Sequence, residues 1–216
     1  MLHEHEAVRS WAAGPAGVTV TTDRATYEAE RVIITAGAWT SGVVAGLGIE
    51  LSVTRQAAGW FEPRRPELFA ADRFPVWGLD VQRDDGTSGI MYGFPLMAES
   101  RGIKIAHHWP GAACEIESVD RGRRAEDEAL FRTTMRRHLP EAEGALLAIQ
   151  TCVYTNSADG HFIVDRPAQP SMHGRVTIGC GFSGHGFKFA PAIGKALAEL
   201  ALDGVSSEAV GFLGLG

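Results

Sequence analysis

Apolar and polar residues alternate over Val18–Thr22, the period-two signature of a short strand, and Thr22 with Asp23 opens a turn. A second extended run covers residues 27–35 and closes on the apolar block Val32, Ile33 and Ile34. Ala36, Gly37, Ala38 and Trp39 then turn the chain into a short helix expected to reach Leu47. A strand feeding a small-residue turn and a helix is the sequence form of an α/β layer. From Leu51 the pattern changes. Extended runs at 51–61, 75–81, 88–94 and 102–108 are separated by turns rich in Pro, Gly and Asp, with Asp84, Asp85 and Gly86 as a hairpin turn. Consecutive strands joined by short turns imply an antiparallel sheet.

One clear helix follows, at 124–138. Glu126, Asp127 and Glu128 open it and Arg136 and Arg137 close it, in line with the helix macrodipole, and Pro140 stops it. The last third returns to the first pattern. Short strands are expected at 148–154, 162–165 and 175–179, then a loop at 181–188 and a helix at 191–203. Ile193, Leu197, Leu200 and Ala201 form the apolar stripe of that helix; Pro191 suits its first turn and Gly204 its C-terminal cap. The order is α/β, antiparallel insert, α/β, with no internal repeat.

A length of 216 residues with 45% apolar and 21% charged positions is an ordinary globular composition, able to bury a core. The net charge of −6 argues against nucleic acid or an anionic membrane as partner. Residues 1–10 are mostly polar and form no secretory signal, and no apolar run is long enough to span a bilayer. Three scattered cysteines, Cys114, Cys152 and Cys180, make no disulfide framework, so a reducing cytoplasm is the expected compartment. Glycine is enriched, at 26 residues, and much of the excess sits in discrete turns.

The sharpest of those turns is Gly179, Cys180, Gly181, Phe182, Ser183, Gly184, which satisfies G-x-G-x-x-G between a strand and a helix. A dinucleotide fingerprint needs a second strand with an acidic ribose ligand about 20 residues on. Here Glu199 and Asp203, the acids near that distance, fall inside the helix, so that reading is rejected. Two readings stay open. The loop is a tight strand-to-helix turn, or its backbone N–H groups, with His185 and Lys188 beside them, hold an anion or a ring that becomes anionic.

The residues also resemble a known family. Gly181 to Phe189 is similar to the flavin-contacting motif near the C-terminus of monomeric sarcosine oxidase and N-methyltryptophan oxidase. Cys152, Val153, Tyr154, Thr155 and Asn156, followed by Asp159, Gly160, His161 and Phe162, resemble the segment around that family's flavin-attachment cysteine. Tyr92, Gly93, Phe94 and Pro95, with Gly102 to Ile105 and His108, resemble its active-site strands, and Val32 to Trp39 a further flavin-domain motif.

The resemblance implies a partial FAD-binding α/β layer with an inserted antiparallel substrate domain, divided as 1–48, 49–147 and 148–216. It implies FAD as cofactor, covalent through Cys152 once the missing half is supplied, and an amine oxidoreductase that makes an imine and hydrogen peroxide. Lys104 is implied to promote oxygen reduction. His108, Tyr92 and Tyr154 would line the substrate side. Gly181, Phe182, Gly184, His185, Gly186 and Lys188 would contact the flavin, with Lys188 also on the substrate carboxylate. The implied partners are a small amino acid and dioxygen. The family's opening strand, G-x-G-x-x-G loop and helix, which hold the FAD pyrophosphate, do not precede Val18, nor does an arginine that shares the substrate carboxylate. The expectation is therefore a truncated frame, a fragment or one half of a split enzyme, with FAD binding by this chain alone left open; a non-catalytic subunit and a related dehydrogenase are the alternatives.

Each of these residues also has a plainer reading. Cys152 could be a small buried hydrophobe, Lys104 a solvated strand residue and His185 a loop cap. Trp39 and Trp60 read as packing residues. His107 and His108, adjacent on a strand, face opposite sides and with Cys114 lack the spacing of a zinc site, so no metal is expected.

Overall fold

The computed structural model describes residues 1–82, 86–100, 102–109 and 111–215; Asp84 and Asp85 of the expected hairpin turn lie outside them. In chain order the first strands are β1 (Val8–Ala13), β2 (Val18–Thr22), β3 (Thr26–Ala29) and β4 (Val32–Ile34), followed by helix α1 (Thr40–Val43). Then come β5 (Leu51–Phe61), β6 (Trp77–Gln82), β7 (Ser88–Phe94), β8 (Ile103–His108), β9 (Ala112–Ala113) and α2 (Ala125–His138). The chain ends with β10 (Leu146–Ser157), β11 (Ile163–Asp165), β12 (Val176–Cys180) and α3 (Ala190–Asp203). It forms two compact units, one of residues 1–53 with 154–216 and the other of residues 54–153. The divisions fall inside β5 and β10, a few residues beyond 48/49 and 147/148, because both strands continue through the change of pattern.

The first unit holds an antiparallel meander β1-β2-β3 and a small mixed sheet β11-β12-β4, in which β4 runs parallel to β12. β1 is a strand where none was expected. Its polar residues hide the pattern, but Trp11 packs into the core and its Nε1 donates to the Val43 carbonyl at 2.6 Å. The extended run at 27–35 divides in two. β3 pairs with β2 and β4 with β12, so the chain changes sheets between them, at Glu30 and Arg31. The helix expected to reach Leu47 is a 3-10 turn, Gly37–Trp39, and one α-helical turn, because Gly46 and Gly48 take left-handed backbone angles. α3 buries Ile193, Ala196, Leu197 and Ala201, and Gly204 caps it at φ 78°.

In the second unit β6, β7 and β8 form an antiparallel sheet that continues through β5 to β10. α2 covers one face. Its Phe131, Thr134 and Met135, at helical spacing, are buried, and Phe131 and Met135 meet Phe61, Met91, Ile103 and Ile105 in the core. The helix is pinned at its acidic end. Buried Arg55 makes a two-pronged ion pair with Asp127, with bonds of 2.9 and 2.8 Å, and also donates to Thr151 and to the carbonyls of Asp120 and Gly122.

Candidate functional site

Strand alternation decides which side chains of the second unit leave the core. Ile103, Ile105 and His107 point toward α2; His107 stacks on Trp109 and Phe131 with ring centroids 4.0 and 5.2 Å away. Lys104, Ala106 and His108 therefore point the other way. Register extends this face across the sheet, since Tyr92 pairs with Ala106, and Lys104 pairs with Phe94 on one side and Trp60 on the other. On β10, Thr151 bonds to Arg55 on the α2 side, so Cys152 lies on the opposite face. Four residues far apart in sequence, Tyr92, Lys104, His108 and Cys152, thus share one sheet face.

The three cysteines separate by surroundings. Cys180 is buried, and desolvation pushes its thiol up to about 11; Cys114 is half-buried; Cys152 is exposed. Enough protein still crowds the Cys152 sulfur that desolvation raises its pKa, while the charges of Lys104 and Arg55 act in the opposite direction and do not prevail. The setting is partly positive, as covalent attachment would need, yet the thiol is not activated by these residues alone.

The other candidates belong to the first unit. After β12 the chain passes through left-handed angles at Gly181 (φ 63°), Ser183 (φ 47°) and Gly184 (φ 77°). Ser183 is a non-glycine residue in that region, and local bonds hold it there. Its N–H donates to the Thr155 carbonyl at 2.9 Å and its hydroxyl to the Gly181 carbonyl at 3.0 Å. A side chain at Gly184 would come within 2.4 Å of the Tyr154 ring, so glycine is required there for space as well as for φ. Phe162 packs beneath the loop against Phe182, His185 and Phe189.

His185 and Lys188 are both exposed and also bind within the loop. His185 Nδ1 lies 3.1 Å from the Ser183 carbonyl, and Lys188 Nζ donates to the His185 carbonyl at 3.1 Å. Phe187 is 96% exposed, an apolar ring left in solvent. Trp39, expected to pack, is half in solvent at 52% exposure, and Trp60 is half-buried beside Lys104. Phe94 stands in the motif that resembles the active-site strands but has no role of its own there, and Trp60 reads from sequence as a packing residue; strand register brings both beside Lys104.

A family model described as FAD dependent oxidoreductase matches residues 1–200. The chain belongs to that family. Among FAD-dependent oxidoreductases it is similar to monomeric sarcosine oxidase of Streptomyces avermitilis, 35% identical over 97% of this chain and 54% of that protein. It is also similar to N-methyl-L-tryptophan oxidase of Salmonella dublin, 33% identical over 88% of this chain and 48% of that one. The chain spans about half the length of the curated relatives it matches. Its fold is similar to that of NikD, an unusual amino acid oxidase, with a TM-score of 0.79 over 97% of this chain and 54% of that one, at 21% identity.

The residues present suit the flavin this family uses. An exposed thiol can take a covalent link, a lysine on the same sheet face can offset negative charge on a reduced ring, and half-exposed aromatic rings offer surface to a planar group.

Proposed function

We propose that this chain supplies the substrate-side sheet and a cofactor-contacting loop of an FAD-dependent oxidase of N-methyl or secondary amino acids. The observation that carries the reading is the single sheet face bearing Tyr92, Lys104, His108 and Cys152, with α2 covering the other. A bound flavin would accept a hydride equivalent from the amine carbon and then reduce dioxygen to hydrogen peroxide, leaving an imine to hydrolyse.

The protein's part is placement and charge. Lys104 presents an ammonium whose charge favours electron transfer to oxygen as superoxide forms. Tyr92, Tyr154 and His108 shape the substrate side. Lys188, exposed on its loop, offers a cation to the substrate carboxylate. Cys152 is the attachment point for the ring, and Gly181, Phe182, Gly184, His185 and Gly186 form the loop that contacts it. The names of the relatives, a sarcosine oxidase and an N-methyl-L-tryptophan oxidase, support N-methyl amino acids as the substrate class.

The test supplies the full chain with FAD and records oxygen uptake, peroxide and the flavin spectrum with sarcosine, N-methyl-tryptophan and glycine. Peroxide from the N-methylated substrates is expected. A flavin that binds but is reduced by no N-methyl amino acid would overturn the reading. A second reading, a chain active only with a separate FAD-binding chain, is favoured by β4, which lies at the edge of its three-stranded sheet and leaves Ile33 42% exposed. Turnover restored by adding such a chain, and absent without it, would distinguish this case.

A further inference from the structure

Lys104 occupies the middle of a row built by three neighbouring strands. Its register partners are Trp60 on β5 and Phe94 on β7, so the three side chains leave the sheet on one face. Its Nζ lies 5.7 Å from the Trp60 ring centroid and 5.3 Å from that of Phe94, both within the roughly 6 Å reach of a cation–π attraction. A lysine on a half-open strand face ordinarily samples many rotamers, and two rings flanking it reduce that freedom. The rings differ from a carboxylate partner in one respect. They attract the ammonium without neutralising it, so its charge stays available to a third group.

We propose that Trp60 and Phe94 are positioning residues that hold the Lys104 ammonium at a fixed place on the sheet face. The bond energy is electrostatic attraction to the two ring faces, and the site it serves is the one assigned above, so the consequence for oxygen chemistry rests on the oxidase reading. The placement of the lysine does not.

That difference makes the two separable by experiment. The sequence contains only three lysines, Lys104, Lys188 and Lys195, so carbon-13 dimethylation of the full chain gives a short list of lysine signals in NMR. The Lys104 signal, identified by its loss in Lys104→Met, is expected to be displaced upfield by the ring currents. It should move back toward the ordinary lysine position in Trp60→Leu and in Phe94→Leu, and stay displaced in Trp60→Phe, which keeps a ring. Thermal unfolding of each variant separates this from loss of the fold. A Lys104 signal at the ordinary position in the unaltered chain, or one indifferent to both leucine substitutions, would overturn the proposal. In protein that oxidises an N-methyl amino acid, losing either ring should slow reoxidation by dioxygen about two- to fivefold, with a smaller effect on flavin reduction by substrate. An unchanged reoxidation rate would remove the functional half of the proposal. A displaced signal in protein whose bound flavin is reduced by no N-methyl amino acid would sink the oxidase reading and leave the clamp standing.

Discussion

Arg55 directs its guanidinium into Asp127, Thr151 and two main-chain carbonyls, and its side chain is only 6% exposed. Removing one member of such a pair leaves a charge with little water to stabilise it. Arg55→Met is therefore expected to lower stability by about 3 kcal/mol in denaturant titration, and Arg55→Lys by less. A loss under about 1 kcal/mol would mean that solvent reaches Asp127 after all. The cysteines give a second residue-scale expectation. With no flavin attached, a thiol reagent should label Cys152 in the native chain, because the residue is exposed, and reach Cys180 only on unfolding, because that thiol is buried and shifted to about 11. Peptide mass spectrometry after brief labelling reads this directly; Cys180 labelled first would contradict the packing of β12. At this scale the sequence named candidates and lacked their surroundings. Nothing local in Cys-Val-Tyr shows that Cys152 would stay at the surface while Cys180 went into the core.

Elements were legible where their pattern was local. β5 and β7 match the expected runs, and α2 and α3 lie within a residue of theirs, because alternation, helical spacing, acidic starts and a glycine cap are written in adjacent positions. β1 was hidden because its pairing with β2, and not its own composition, makes it a strand. The C-terminal end of α3 has its own latch. Glu199 accepts bonds from the Ser206 hydroxyl and from the N–H and hydroxyl of Ser207, and it pairs with Lys195 at 3.1 Å. These partners pull its carboxyl down to about 2 from an ordinary value near 4.3. A carboxyl with a depressed folded-state pKa stabilises the fold above its unfolded value and loses that contribution as pH falls. Amide exchange of residues 205–208 is thus expected to speed up between about pH 4.3 and about pH 2, relative to the middle of α3. Glu199→Gln should show the faster exchange at neutral pH already. Equal protection in the variant would show that the latch does not hold the segment.

At the scale of the whole chain, one contiguous stretch is flanked by two halves of another unit. Ser52 and Asn156 lie side by side, the Asn156 amide donating to the Ser52 carbonyl at 3.3 Å. A two-residue turn could therefore replace residues 54–153 and close the first unit on itself. The shortened chain is expected to unfold cooperatively by circular dichroism, since the two apolar clusters on β4, β12 and α3 draw only on its own residues. A broad, non-cooperative melt would show that the first unit depends on the second for its core.

The sequence by itself determined the alternation of structural classes, the extents of β5 and β7 and, to within a residue, of α2 and α3, and the identities of Tyr92, Lys104, His108 and Cys152 as candidates. All of these follow from near-neighbour periodicity or from motif resemblance. Tertiary structure alone decided that these four share one face, that Trp60 and Phe94 flank Lys104, and that the run at 27–35 divides between two sheets. The physical reason is register. Hydrogen bonds between strands fix which distant residues stand opposite one another, and a shift of one position would send each side chain to the other face.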